Sequence, residues 1–420
     1  MEGCCVCLDE CVTLIINSGW SVCNTCVRKL DHRCPSTRMK ITTKLPNNFA
    51  RDFYRYPLIL VQPSLFKMEE LIKLSDKIAY MNQFDKIEID NLYLLINDGR
   101  CVLNLDEFKI FTKKCPSTYS IRLIYLMCRI NNLDTVKFLV ENGADVNCTD
   151  DGCHPIHMAC YHGDRALELV KYLVENGANV NCVDDDGWRP IHEACRKGDK
   201  ALELVKFLVG SGADVNCADR WCRYPIHIAC DNGDKALGLV KFLVEKGTDV
   251  NCADCDGRSP IHYACRIGDK SLELVKFLIA NGADINYTNN WESRPIHIAC
   301  QNGDRALELV KFLVANGVDV NCANNDGWCP IHKACWEGDE ALEIVKFLIA
   351  KGADVNCVNA DERCPIHLAC NKCDGALEVV KILVENGADV NCADNNRWYP
   401  IDYARNIGSL DLVEFLKMVT

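Results

Sequence analysis

The tripeptide Pro-Ile-His recurs at Pro155, Pro190, Pro225, Pro260, Pro295, Pro330 and Pro365, and Pro-Ile-Asp follows at Pro400, every step being 35 residues. A fixed period of this length marks a stack of supersecondary units. Within one unit, Pro155 suits the first turn of a helix, where its missing N–H costs nothing. Ile156, Ala159 and Cys160 continue at helical spacing, and Gly163-Asp164 interrupts it. Leu167, Val170, Leu173 and Val174 then space a second amphipathic helix, with Gly177 placed as a left-handed C-terminal cap. Val180 to Arg189 is polar turn chemistry. One unit has two short helices and cannot bury its own apolar face, whereas stacked copies can.

The Pro-Ile-His start and the Gly-Ala-Asp-Val-Asn end of the unit resemble the ankyrin repeat, whose own start is Thr-Pro-Leu-His. The resemblance covers residues 118–420, about 70% of the chain, in about nine units. It implies an all-α solenoid of helix-turn-helix-loop repeats. The family repeat is usually about 33 residues long. Seven units here carry two extra residues between the helices, Gly-Asp-Arg-Ala-Leu-Glu where Gly-Ser-Leu-Asp would be typical. The first unit (Cys128–Val140) and the last (Pro400–Thr420) are short, as terminal units with one solvent face tend to be atypical.

Cysteine is the compositional outlier, at 30 of 420 residues. Fourteen are periodic: Cys160, Cys195, Cys230, Cys265, Cys300, Cys335 and Cys370 follow the helix alanine, and Cys148, Cys182, Cys217, Cys252, Cys322, Cys357 and Cys392 follow the turn. His157-x-x-Cys160 spacing would suit zinc, but core filling is the better account, with the histidine bonding a turn. The N-terminus has no apolar signal-peptide core. The cysteines therefore read as reduced, in an intracellular compartment that is cytoplasmic rather than nuclear.

Seven further cysteines fall within the first 34 residues. Cys4-x-x-Cys7 and Cys23-x-x-Cys26 are two chelate pairs suited to one tetrahedral zinc ion. A segment this short has little core, so metal would supply most of its stability. The arrangement resembles a RING finger over residues 1–45, with Cys4, Cys7, Cys23 and Cys26 matching that family's first zinc site. The second site is degenerate: Ser18, Trp20 and Thr37 stand where ligands belong, and Cys34 alone matches. Either it is metal-free, or Cys11 and His32 substitute from unusual positions. In that family, residues at the places of Val6, Pro35 and Arg38 dock a ubiquitin-conjugating enzyme, and the arginine holds its bound ubiquitin in a reactive pose. The resemblance thus implies a ligase that acts by positioning; a purely structural finger is the alternative.

Residues 46–117 read as a helical bridging segment. Ser64–Phe84 is patterned as an amphipathic helix, and Asn91–Asn104 faintly echoes the end of a repeat. Charge divides by region: residues 1–120 carry 16 basic and 14 acidic side chains, and 121–420 carry 31 and 45. A net charge of −12 speaks against nucleic acid, and no apolar run approaches the ~18 residues of a membrane span.

The candidates for partner contact are the residues that vary between units. In the loops these are Trp188, Arg189, Trp221, Arg223, Trp291, Arg294, Trp328 and Trp398; on the first helix they include Met158, Glu193, Tyr263, Lys333 and Trp336. Tryptophan and arginine dominate binding hot spots. No catalytic constellation or phosphate-cradling loop stands outside the periodic set. The expected activity is that of a protein-interaction scaffold, with no active site in the repeats. Arrays with Pro-Ile-His starts and Asn-Cys-Ala-Asp turns are also similar to those that large DNA viruses and some intracellular bacteria carry in families, which implies a host protein as the partner.

Overall fold

The computed structural model describes residues 120–150, 152–372 and 375–420, together with Leu14–Ile15 and Ser21–Val22. Those two short strands pair antiparallel, Leu14 opposite Val22 and Ile15 opposite Ser21. The zinc ligands Cys4, Cys7, Cys23 and Cys26, the docking residues Val6, Pro35 and Arg38, and the whole bridging segment 46–117 lie outside the described residues. The chain divides into two units, 1–144 and 145–420. In the first, helices Ser120–Arg129 and Leu133–Glu141 bury Leu123, Ile124, Met127, Val136 and Leu139. Asn132 caps the second of these helices, accepting the Thr135 N–H at 3.1 Å.

The second unit is an all-helical array. Its first-helix series is Pro155–Cys160, Pro190–Cys195, Pro225–Cys230, Pro260–Cys265, Pro295–Cys300, Pro330–Glu337, Pro365–Cys370 and Pro400–Asn406. The second-helix series is Leu167–Glu175, Leu202–Gly210, Leu237–Glu245, Leu272–Ala280, Leu307–Ala315, Leu342–Ala350, Leu377–Glu385 and Leu410–Val419. Proline stands at the first turn of every first-series helix. Of the stripe read from the sequence, Ile156, Ala159, Cys160, Val170 and Leu173 are fully buried, whereas Leu167 and Val174 are half-buried and Leu169 takes the remaining core place. Ile191, Ala194, Leu204, Val205 and Leu208 repeat the buried set in the next unit. Each such aliphatic side chain contributes about 1.5–3 kcal/mol. Among the described residues, no helix is long and apolar enough to cross a membrane.

The two extra residues per unit have a defined place. In six of the seven units they build a single 3₁₀ turn between the helices, at Gly163–Ala166, Gly198–Ala201, Gly233–Ala236, Gly268–Ser271, Gly303–Ala306 and Gly338–Ala341; in the seventh, positions 373 and 374 lie outside the described residues. The aspartate of each turn reaches across to the next repeat. Asp164, Asp199, Asp234 and Asp269 accept the backbone N–H of Leu204, Leu239, Leu274 and Leu309 at 2.7–2.8 Å. Asp304 and Asp339 accept those of Ile344 and Val379 at 3.0 and 2.9 Å. The helices so capped begin after Ala201, Ala236 or a similar residue that supplies no side-chain cap of its own. The insertion therefore caps the neighbour's helix with a carboxylate at its electropositive end.

Histidine forms a second cross-repeat stitch. In each copy Nδ1 accepts the N–H of the residue before the proline, as His192 does from Arg189 at 3.0 Å. Nε2 lies 3.0–3.2 Å from a carbonyl of the following hairpin: Trp188 for His157, Arg223 for His192, Ser293 for His262 and Arg363 for His332. These bonds fix the neutral tautomer with the proton on Nε2. A third stitch comes from asparagine: Asn181, Asn251, Asn321 and Asn356 each donate from Nδ2 to a glycine carbonyl 31 residues on, at 2.8–2.9 Å.

Candidate functional site

The hairpins between units carry the exposed aromatic residues. An aspartate or asparagine anchors each one. Asp184 Oδ1 accepts the N–H of Asp186 and of Trp188, and Asp219 and Asp254 repeat the pattern. The tips are joined in series by backbone bonds, Arg220 N–H to Asp186 O at 3.2 Å and Cys255 N–H to Trp221 O at 3.0 Å among them. The loops are thus a rigid row rather than independent flaps.

The tryptophans occupy two different places. Trp221 and Trp291 stand at the tips, 43% and 44% exposed. Trp188, Trp328 and Trp398 stand two residues further on, at the position that Arg223, Arg258, Ser293 and Arg363 fill in other units. Only Trp398 of that series is exposed, at 38%, while Trp188 and Trp328 are half-buried. Trp188 packs beneath the guanidinium groups of Arg196 and Arg223, at 5.6 and 5.2 Å from its ring centre. Trp328 lies under the Lys333 ammonium at 4.2 Å and edge-on to Trp336 at 6.0 Å. Trp336, on the first-helix series, is 46% exposed.

The arginines also divide. Arg223 is held by the fully buried Asp219 carboxylate, its Nε donating at 2.8 Å, and its guanidinium lies 4.6 Å from the Trp221 ring. Arg220 and Arg258, which sequence reasoning passed over, stack on Trp221 and Trp291 at 5.1 and 5.3 Å. For Arg258 a signal was available in the 35-residue register that aligns it with Arg223; Arg220 aligns with Asp185 and Cys255 and had none. Arg189 and Arg294 sit immediately before the helix prolines and give their N–H groups to His192 and His297. They belong to the helix start, not to the hairpin tip. Tyr263 is tied down by its hydroxyl, which donates to Asp254 at 2.7 Å.

The buried polar groups are chemically quiet. Burial holds His192, His227, His262 and His297 down to about 4, so all four are neutral near neutrality. Burial pushes the thiols of Cys195, Cys230, Cys265, Cys300 and Cys335 far up, and that of Cys370 to about 12. These are inert core fillers.

Three other groups bring ligand atoms within 4.8 Å of one another and could hold a metal ion: His154, His157 and Cys182; Cys329, His332 and Cys357; Cys364, His367 and Cys392. Cys329 and Cys364 occupy the place before the helix proline, and sequence reasoning missed them because attention fell on the two periodic series. A hydrogen bond from Cys357 lowers the Cys329 thiol, and one from Cys392 lowers that of Cys364.

No curated protein matches the chain. The family model for ankyrin repeats (3 copies) matches residues 124–219, 198–289, 267–359 and 339–418. Those matches span the stacked helix pairs, and the chain belongs to the ankyrin repeat family.

Proposed function

We propose that the chain is a scaffold that recruits a protein partner to the exposed aromatic row of its hairpins and first helices. Ankyrin repeats generally bind proteins. The single observation carrying the reading is the row Trp221, Trp291, Trp336 and Trp398. These are large, exposed aromatic side chains on a rigid, cross-bonded framework, three of them on hairpins. Buried anchors of this kind supply most of the energy of a protein interface, and a row fixed in advance loses little entropy on binding. Arg220, Arg223 and Arg258 beside Trp221 and Trp291 add directional donors. The acidity of residues 121–420 favours faster encounter with basic partners. A host protein as partner is the reading that fits the similarity to viral and bacterial arrays.

The expected result is that proteins cross-linked to the array from a cell extract are lost together on substitution of Trp221, Trp291, Trp336 and Trp398 by alanine. The melting temperature should stay within a few degrees. Retention of every partner by that variant would remove the aromatic row from the reading.

The second reading couples recruitment to ubiquitin transfer through residues 1–45. It rests on the chelate pairs Cys4/Cys7 and Cys23/Cys26, which would hold one zinc, and on Val6, Pro35 and Arg38 at the docking places. The full chain should then discharge a ubiquitin-loaded conjugating enzyme at least tenfold faster than buffer, and Arg38→Ala should abolish the acceleration. No acceleration by the full chain leaves a binding module with a structural finger.

A further inference from the structure

Seven repeats keep a histidine two residues after the helix proline and, in most of them, a cysteine on the following turn. Where the cysteine sits relative to the ring differs between units. Cys217, Cys252 and Cys322 lie against Nε2 of His192, His227 and His297, at 4.0, 3.8 and 4.0 Å. Cys182, Cys357 and Cys392 instead stand nearest Nδ1 of His157, His332 and His367, at 3.8, 3.6 and 3.9 Å, Cys357 also reaching Nε2 of its ring at 3.9 Å. The second set coincides with the units in which the residue before the proline is itself a metal-ligating type: His154, Cys329 and Cys364. Elsewhere that residue is Arg189, Tyr224, Ser259 or Arg294. Two independent variables, an amino-acid choice and a side-chain placement, therefore change together and converge on one ring nitrogen.

We propose that Cys329, His332 and Cys357, and likewise Cys364, His367 and Cys392, are two zinc-binding sites stacked in adjacent repeats. Zinc bonded to nitrogen at about 2.0–2.1 Å and to sulfur at about 2.3 Å in a tetrahedron sets the two atoms about 3.6 Å apart; Cys357 Sγ stands 3.6 Å from His332 Nδ1, and Cys392 Sγ stands 3.9 Å from His367 Nδ1 and must close by about 0.3 Å. The outer shell is also in place. His332 Nε2 and His367 Nε2 are bonded to the carbonyls of Arg363 and Trp398 at 3.0 and 3.2 Å. Metal-ligating histidines make this kind of bond with their other nitrogen. It leaves Nδ1, which the sulfurs of Cys357 and Cys392 approach at 3.6 and 3.9 Å, for the metal.

Binding has a local cost. Nδ1 of each ring now accepts the N–H of Cys329 or Cys364, at 3.1 and 3.0 Å, and Cys392 Sγ donates to Asp389 O at 2.9 Å. The ion replaces these bonds with metal–ligand bonds. In each site two thiols lose their protons, two zinc–sulfur bonds and one zinc–nitrogen bond form, and two protons go to solvent. The fourth position is left to water, as in three-ligand zinc sites. The His154 group has one thiol in place of two, and its His154 Nδ1 is buried without a hydrogen-bond partner; we confine the assignment to the two-thiol groups.

The test uses the full chain, reduced with a phosphine, stripped of metal, reloaded with Zn(II) and freed of excess by gel filtration. The wild-type chain should hold two zinc ions more than the Cys329→Ser/Cys364→Ser variant, whatever the N-terminal cysteines bind. Serine is a fair replacement because Ser259 stands at the same place and keeps the same N–H bond to its histidine. Cys222→Ser, at an exposed thiol outside both groups, should leave the count unchanged. Co(II) in the wild-type chain should give a thiolate-to-cobalt absorption that the double variant reduces. If the variant folds poorly, alkylation of the wild-type chain decides. Zinc should shield Cys357 and Cys392 while Cys222 and Cys255 stay reactive. Equal zinc in wild type and variant, or unchanged labelling of Cys357 and Cys392, overturns the assignment.

Discussion

Lowering the pH from 7.5 to 5.0 is expected to destabilise the array by several kcal/mol, through its histidines. His192, His227, His262 and His297 are held down to about 4, mainly because burial penalises the charged ring. In the unfolded chain the same side chains titrate near 6.5. The unfolded state therefore takes up protons first, and stability is complete above about pH 6.5 and declines as pH falls towards 4. Each depressed ring forfeits about 2 kcal/mol by pH 5, so four together outweigh the opposing contribution of Glu193, whose carboxyl is raised by burial. The denaturant midpoint of dilute chain should fall steeply between pH 6.5 and 5. His262→Gln should lower stability at pH 7.5 and flatten the pH slope by about one proton. Equal midpoints at pH 7.5 and 5.0 would show that the rings accept protons without breaking their bonds to the next hairpin. The last unit provides a built-in contrast: Asp402 replaces the histidine and accepts the Tyr399 N–H at 3.1 Å.

The same residues show how far the sequence could be read. Pro155, His157, Gly177 and their copies disclosed the unit, its two helices and its cap, because each answers to a local backbone need that repeats every 35 residues. The role of the inserted Gly-Asp was not local. Asp234 caps a helix 40 residues away, so its purpose appears only when two units are stacked. The binding row was half legible for a related reason. Trp221 and Trp291 precede the residue that turns left-handed at the hairpin (Cys222, φ 57°; Glu292, φ 55°), whereas Trp188 and Trp328 follow it at Gly187 and Gly327. A shift of two residues carries the indole from the tip to the leg, where cations cover it. Composition alone could not separate the two.

The cross-repeat turn also identifies the substitution with the sharpest expected effect on cooperativity, Gly303→Ala. Gly303 has φ +60°, a conformation in which a side chain costs about 1–2 kcal/mol by itself. A methyl group there would meet Glu340 O at 2.5 Å, an atom of the neighbouring repeat's backbone that cannot rotate aside. The repeats must separate locally, which also pulls Asp304 from the Glu343 and Ile344 N–H groups it caps at 3.2 and 3.0 Å, at a cost of about 1 kcal/mol. These two parts come to about 2–3 kcal/mol, and separating the packed repeats adds to them. Gly247→Ala is the matched control: its φ is +88°, but nothing stands within 4 Å of the added carbon, so only the conformational part remains, about 1–2 kcal/mol. Because each repeat touches only its neighbours, weakening one junction lets the two sides unfold separately. Gly303→Ala should therefore split a single denaturation transition into two, while Gly247→Ala shifts it intact. If both variants gave one transition with the same small shift, the 3₁₀ turns would be passive spacers, and coupling between repeats would reside in the helix faces and the histidine bonds alone.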